Sequence, residues 1–149
     1  MFSTIVVGTD GSPDAEDALR AAAEMARVNP DTKIHVIGAY RPIPPDQLRS
    51  IMKSLPDEFK PLVYGTMRAD STMEAARAIM KVAGVEAEYH EVDDHPTDAI
   101  LNAAESYNAD LIVVGSRGEG ATKRLLHGSV STNVLHHAPC AVLVVRKDR

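Results

Sequence analysis

The sequence predicts a single α/β domain built on a doubly wound, five-stranded parallel sheet with helices on both faces. Three observations predict it. Apolar stretches of strand length alternate with stretches of helical period, in the order β-α-β-(insert)-α-β-α-β-α-β. That alternation implies a parallel sheet with right-handed crossovers. Ile5-Val6-Val7 and Leu111-Ile112-Val113-Val114 are apolar without a polar break, as strands covered on both faces are. The chain has 149 residues, 44% of them hydrophobic and 25% charged, which suits one domain. A domain of that size buries roughly 70% of the surface its unfolded chain exposes, so it needs no disulfide or metal to hold a core.

Each element follows from local signals. Ile5–Val7 is a β-branched run that stops at Gly8-Thr9-Asp10-Gly11-Ser12-Pro13, a cluster of turn residues. Residues 14–28 carry Ala15, Ala18, Leu19, Ala22, Met25 and Ala26 at helical spacing. Asn29-Pro30 closes that helix, because a residue before proline avoids the α region. Ile34–Ala39 is a second strand, apolar except for His35. Residues 41–66 hold five prolines, at 42, 44, 45, 56 and 61, and read as an insert covering one edge of the domain, with short helical turns around 46–54. Its apolar anchors are Ile51, Met52, Leu55, Phe59, Leu62 and Val63.

Helical spacing returns over 69–83 through Met73, Ala76, Ile79, Met80 and Ala83, and Gly84 stops it at the C′ position. Val85–Val92 alternates apolar and polar residues and reads as a strand near a sheet edge. Pro96 opens a helix whose apolar face is Ala99, Ile100, Ala103 and Ala104. Leu111–Val114 is the buried fourth strand, residues 128–137 a last helix before Pro139, and Ala141–Val145 the fifth strand. In a doubly wound sheet the ligand crevice lies outside the carboxyl ends of the strands at the switch point, so the loops after strands one and four are the places to look.

Bulk properties narrow the function. A net charge of −5 argues against broad nucleic-acid binding, which favours a basic face. Cys140 is the single cysteine, so no intramolecular disulfide forms, and a reducing compartment is compatible with that. No apolar run approaches the roughly 20 residues of a membrane span. Met1-Phe2-Ser3-Thr4 has no basic segment followed by an apolar one, so no signal peptide is read and a cytoplasmic location is the expectation.

The most informative segment is Gly115-Ser116-Arg117-Gly118, then nine residues, then Gly128-Ser129. It starts where an apolar strand ends, and its second half opens a helix. Glycines let a backbone approach an anion closely, and successive N–H groups in such a turn form an anion nest. The helix start at Gly128-Ser129-Val130-Ser131 adds unpaired N–H groups and the positive end of the helix dipole. The hydroxyls of Ser129 and Ser131 can donate to phosphate oxygens. Arg117, Lys123 and Arg124 against Glu119 make the stretch locally basic within an acidic chain. The plainer alternative is a βα loop with a helix cap; the strand–loop–helix context and the second Gly-Ser favour phosphate. The spacing is neither a P-loop nor a dinucleotide fingerprint. Substituting Gly115 by Val is expected to abolish binding while leaving the fold intact.

The second segment is Gly8-Thr9-Asp10-Gly11-Ser12. A carboxylate at a strand's carboxyl end can accept hydrogen bonds from ribose hydroxyls. Equally, Asp10 or Ser12 can cap the next helix. Both can hold, with Ser12 the cap before Pro13 and Asp10 left for a ligand.

These residues carry a family resemblance. Gly115-x-x-Gly118, nine residues, Gly128-Ser129 resembles the nucleotide motif of the ATP-binding branch of the universal stress protein family. Val7-Gly8-Thr9-Asp10-Gly11-Ser12 is similar to that family's first strand and acidic turn, and Ala138-Pro139-Cys140-Ala141-Val142-Leu143-Val144-Val145 to its closing strand. The likeness spans nearly the whole chain, with 41–66 the least matched part. It implies a Rossmann-like fold of the adenine nucleotide alpha-hydrolase type. It implies that Asp10 holds ribose beside Gly8 and Thr9, that the second strand near Val36 borders adenine with backbone groups, and that Val114 lies against the nucleoside. Gly115, Ser116, Arg117 and Gly118 would wrap the phosphates, joined by Gly128, Ser129, Val130 and Ser131. ATP would be the ligand, with Mg²⁺ accompanying the phosphates, and a homodimer would form through the last strand. An apolar strand at a sheet edge independently has backbone groups that a twin strand would satisfy.

Other residues are set aside. His136 and His137 are adjacent and point about 100° apart on a helix, so they and His127 make a poor chelate. His90, Asp93, Asp94 and His95 read as a solvated turn with a cap, and Cys140 as a small buried hydrophobe. No metal site and no catalytic constellation is expected. The sequence therefore points to a nucleotide-binding regulatory module, with a slow ATPase or nucleotidyl transferase and a cyclic AMP binder as the alternatives.

Overall fold

The structure, a computed structural model, describes residues 1–40, 44–60, 69–116 and 130–146. Strands β1 (Thr4–Gly8), β2 (Lys33–Tyr40), β3 (Glu88–Asp93), β4 (Leu111–Gly115) and β5 (Ala141–Val145) form one sheet in the order β3-β2-β1-β4-β5. All neighbours are parallel. The helices are α1 (Pro13–Val28), α2 (Pro45–Ser54), α3 (Ala69–Ala83), α4 (Pro96–Ser106) and α5 (Val130–His137), with a 3₁₀ turn at Asp57–Phe59. The predicted α/β architecture is what the chain adopts.

The pleat divides the core in two. Ile5, Val7, Ile34, Val36, Leu111 and Val113 point to one face, where Leu19, Ala22 and Ala26 of α1 and Met73, Ala76 and Met80 of α3 cover them. Val6, Ile37, Ile112 and Val114 point to the other, under Ala99, Ile100 and Ala103 of α4 and Val134 of α5. Helices on both faces explain why β1 and β4 lack polar alternation.

The helix ends obey the punctuation. Ser12 Oγ accepts from the Ala15 N–H at 3.3 Å, with Pro13 next in the chain. Gly84 ends α3 at φ 70°, with Val85 N–H to Met80 C=O at 3.0 Å and Gly84 N–H to Lys81 C=O at 3.1 Å. That pair of bonds is a Schellman motif. The end of α4 repeats it with Asn108 at φ 51°. One boundary moves: β3 begins at Glu88, not Val85. Val85 and Ala87 pack on the first core as a connection, so the alternation there records burial rather than strand backbone. In the insert, α2 matches the expected turns at 46–54, and none of its residues is buried.

Candidate functional site at the β1 and β4 carboxyl ends

β1 lies between β2 and β4, so the chain winds outward to β3 on one side and to β5 on the other. The switch point is therefore the carboxyl end of β1 and β4, as the order of elements predicts. The chain leaves β1 at Gly8. The Thr9 N–H donates to the Ile37 carbonyl at 2.9 Å, holding the turn against β2. Thr9 is buried, and its Oγ1 accepts from the Gly11 N–H at 3.3 Å. Gly11 takes φ 80°, a conformation that suits glycine. Asp10 is exposed, and its Oδ1 accepts from the Ser12 N–H at 2.9 Å. Cap and acidic turn thus coexist: Ser12 caps α1, and the exposed Asp10 closes the turn before it.

The exit of β4 is held from three sides at Ser116. Its N–H donates to the Val145 carbonyl at 2.7 Å, and its Oγ donates to Asp14 Oδ2 at 2.6 Å. Its carbonyl accepts from Ser131 Oγ at 3.3 Å. Asp14, in the first turn of α1, is buried despite its charge. These contacts bind β4, β5, α1 and the first turn of α5 into one corner.

Gly115 has a role the sequence does not announce. A Cβ there would lie 2.6 Å from the Asp14 carbonyl carbon and 2.8 Å from the Ala15 nitrogen. Both atoms are helix backbone, so nothing can give way. The expectation that Gly115→Val leaves the fold intact is corrected: this glycine admits the first turn of α1. Gly8 is more forgiving, since a Cβ there meets the Cδ1 end of Ile100 at 2.5 Å, a tip that can rotate.

Of the residues singled out, Gly8, Thr9, Asp10, Val114, Gly115, Ser116, Val130 and Ser131 come together at this corner. Val114 is the buried residue before Gly115, facing the α4 side of the sheet. Arg117, Gly118, Gly128 and Ser129 lie outside the described residues. Val36 does not reach the carboxyl edge: it is fully buried and sits in the ladder opposite Val7 and Tyr89. The part of β2 beside the acidic turn is Ile37–Ala39. A Cβ on Gly38 would stand 2.5 Å from the Met73 Cε and 3.9 Å from the Thr9 carbonyl oxygen. Gly38 and Asp14 were not legible as members of this corner. The parallel register Gly8↔Ile37 is the signal that finds Gly38.

A doubly wound parallel domain with an acidic turn and a glycine exit at its switch point is the class of protein defined here. The model of the Universal stress protein family matches residues 1–146, and the chain belongs to that family. A universal stress protein of Thermus aquaticus is 37% identical over 146 residues, covering 98% of this chain and 100% of its own length. A universal stress protein solved in complex with cAMP is 30% identical, with a TM-score of 0.69 over 97% of this chain and 96% of its own. The Archaeoglobus fulgidus universal stress protein solved in complex with dAMP is 27% identical, with a TM-score of 0.67 over 96% of this chain and 97% of its own.

Proposed function

We propose that this protein is an ATP-binding regulatory module that holds its nucleotide at the β1/β4 corner. The observation that carries the reading is the juxtaposition of the Asp10 turn with the Gly115-Ser116 exit at the switch point. In this reading Asp10 accepts hydrogen bonds from ribose hydroxyls. The loop that follows Ser116, up to Ser131, receives the phosphates, with Arg117 and Ser129 as side-chain donors. Backbone groups of Ile37–Ala39, rather than Val36, border the base. Mg²⁺ accompanies the triphosphate as its counter-ion, and no described side chain is assigned to it. Relatives solved with cAMP and dAMP support an adenine nucleotide as the ligand class.

The protein acts by binding rather than turnover. Among the described residues, Asp10 and Asp14 are the carboxylates at the corner, and each already accepts a hydrogen bond from the protein. A general base needs to reach an attacking water. Brisk ATP hydrolysis by purified protein would overturn this part.

Nucleotide titration by calorimetry tests the site. Asp10→Asn keeps an oxygen to accept the Ser12 N–H but removes the charge. It is expected to weaken ATP binding by about tenfold or more, the worth of a charged hydrogen bond. Unchanged affinity would remove Asp10 from the site. The cAMP complex of a relative favours a second reading, in which one cyclic phosphate occupies the loop. The two separate by competition: ATP should displace labelled cAMP at a far lower concentration than cAMP needs to displace labelled ATP.

A further inference from the structure

The parallel pairing of β2 and β3 sets His35 opposite Glu88 and Ile37 opposite His90. Side chains two apart on a strand share a face, so His35, Glu88 and His90 emerge together on the side covered by α4. His35 Nδ1 lies 3.2 Å from His90 Nε2 and 3.5 Å from Glu88 Oε2, and His90 Nε2 lies 3.7 Å from Glu88 Oε2. Two nitrogens and one oxygen thus lie within 3.7 Å of one another. The cluster sits toward the amino ends of β2 and β3, away from the switch-point corner.

We propose that His35, Glu88 and His90 form a binding site for one divalent transition-metal ion of the zinc class. Zinc takes imidazole nitrogen at about 2.0–2.1 Å and carboxylate oxygen at about 2.0–2.2 Å, so the edge between two ligands of a tetrahedral site is about 3.3–3.5 Å. The three separations, 3.2, 3.5 and 3.7 Å, bracket that edge, and an ion would take the place of the hydrogen bond between the two imidazoles. Two imidazoles and one carboxylate select zinc and its neighbours over magnesium or calcium, which prefer oxygen.

The surroundings supply what such a site needs. The Tyr107 hydroxyl lies 3.4 Å from His90 Nδ1, so that nitrogen has a partner when Nε2 ligates. The Tyr107 ring stacks on His35 at 3.9 Å between centroids and 6° between planes, which fixes the imidazole's orientation. The Glu88 side chain is 67% exposed, which gives an ion a way in and leaves water for the fourth position. The ion would tie the edge strand β3 to β2 and, through Tyr107, to the end of α4.

Titration of the purified full-length chain, free of any histidine tag, with zinc chloride tests the site. One tight equivalent is expected, with a rise in Tm on zinc addition. Glu88→Gln alters an exposed side chain and is expected to weaken that equivalent by at least about tenfold, and His90→Gln likewise. Tyr107→Phe, which removes only the support to His90, should weaken it by a smaller factor. A double variant, His136→Gln with His137→Gln, should retain it. Cobalt(II) in place of zinc should give visible absorption bands of a nitrogen–oxygen site in the wild type and lose them in Glu88→Gln. Absence of a stoichiometric zinc site in the wild type overturns the proposal. So does a site that survives both Glu88→Gln and His90→Gln at full affinity.

Discussion

At the scale of single residues, the corner is decided by what a missing Cβ permits. Gly115 lies against the Asp14 and Ala15 backbone, with 2.6 Å to the carbonyl carbon from where a Cβ would sit. Overpacking of a rigid site costs about 1–3 kcal/mol or more, and helix backbone is more rigid than a side chain. Gly115→Val should therefore lower Tm by roughly 5–10 °C in a domain of this length. Thermal melts without nucleotide check it; an unchanged Tm would mean that α1 can shift away. Gly8→Ala, whose Cβ would press on side-chain atoms alone, Ile100 Cδ1 at 2.5 Å, Ile100 Cγ1 at 3.1 Å and Val114 Cγ1 at 3.4 Å, should cost less. Cys140 gives a pH-dependent prediction. Burial, and then the nearby Asp110 carboxylate, raise its thiol pKa. The thiolate is the reactive form, so iodoacetamide labelling in the folded state should rise with pH at higher values than for a small-molecule thiol. Unfolding should bring the profile back down. Coincident profiles would show a solvated thiol.

At the scale of elements, most of the fold was legible because several helices carry their own start or stop signal. Ser12-Pro13, Gly84 and Pro96 act within a few residues of themselves, so reading them needs no knowledge of the tertiary structure. What escaped depends on register. Val85 and Ala87 alternate like a strand because they line the same core as Tyr89, although the ladder starts only at Glu88. Val36 entered only through the family resemblance, and the pairing Gly8↔Ile37 shows which end of β2 meets the acidic turn. His35 and Glu88 are 53 residues apart in the chain, and no local pattern brings them together. The C-cap at Gly84 allows a clean measurement. No atom lies within 4 Å of where its Cβ would be, so Gly84→Ala changes backbone strain alone. The left-handed conformation costs a non-glycine residue about 1–2 kcal/mol, partly offset by the stiffer unfolded chain. A net loss of about 1 kcal/mol in urea unfolding, with an unchanged m-value, is the expected outcome. No loss would mean that the end of α3 unwinds at little cost.

At the scale of the whole molecule, the two edges of the sheet are unlike. β3 reads Glu-Tyr-His-Glu-Val-Asp, with three carboxylates on six residues, and such charge protects an edge against pairing with another chain. β5 reads Ala-Val-Leu-Val-Val and has no charge at all. Val144 on that edge is 37% exposed. An uncharged, apolar edge with outward N–H and C=O groups is an invitation to a second strand, and a second copy of β5 is always present at equal concentration. The dimer that the sequence suggests is thus a proposal with a direction: it uses β5 and leaves β3, with the His35–Glu88–His90 cluster, exposed. Sedimentation velocity should find the wild type dimeric. Val144→Lys puts a charge on the edge strand beside Val114, at the opposite edge of the sheet from the cluster. It should shift the population toward monomer at the same concentration, with zinc uptake unchanged. The wild-type Tm should also rise with protein concentration, because association stabilises only the folded chain. A wild type that stays monomeric at high concentration would mean that β5 is capped in another way. A Val144→Lys variant that stays dimeric would move the interface elsewhere.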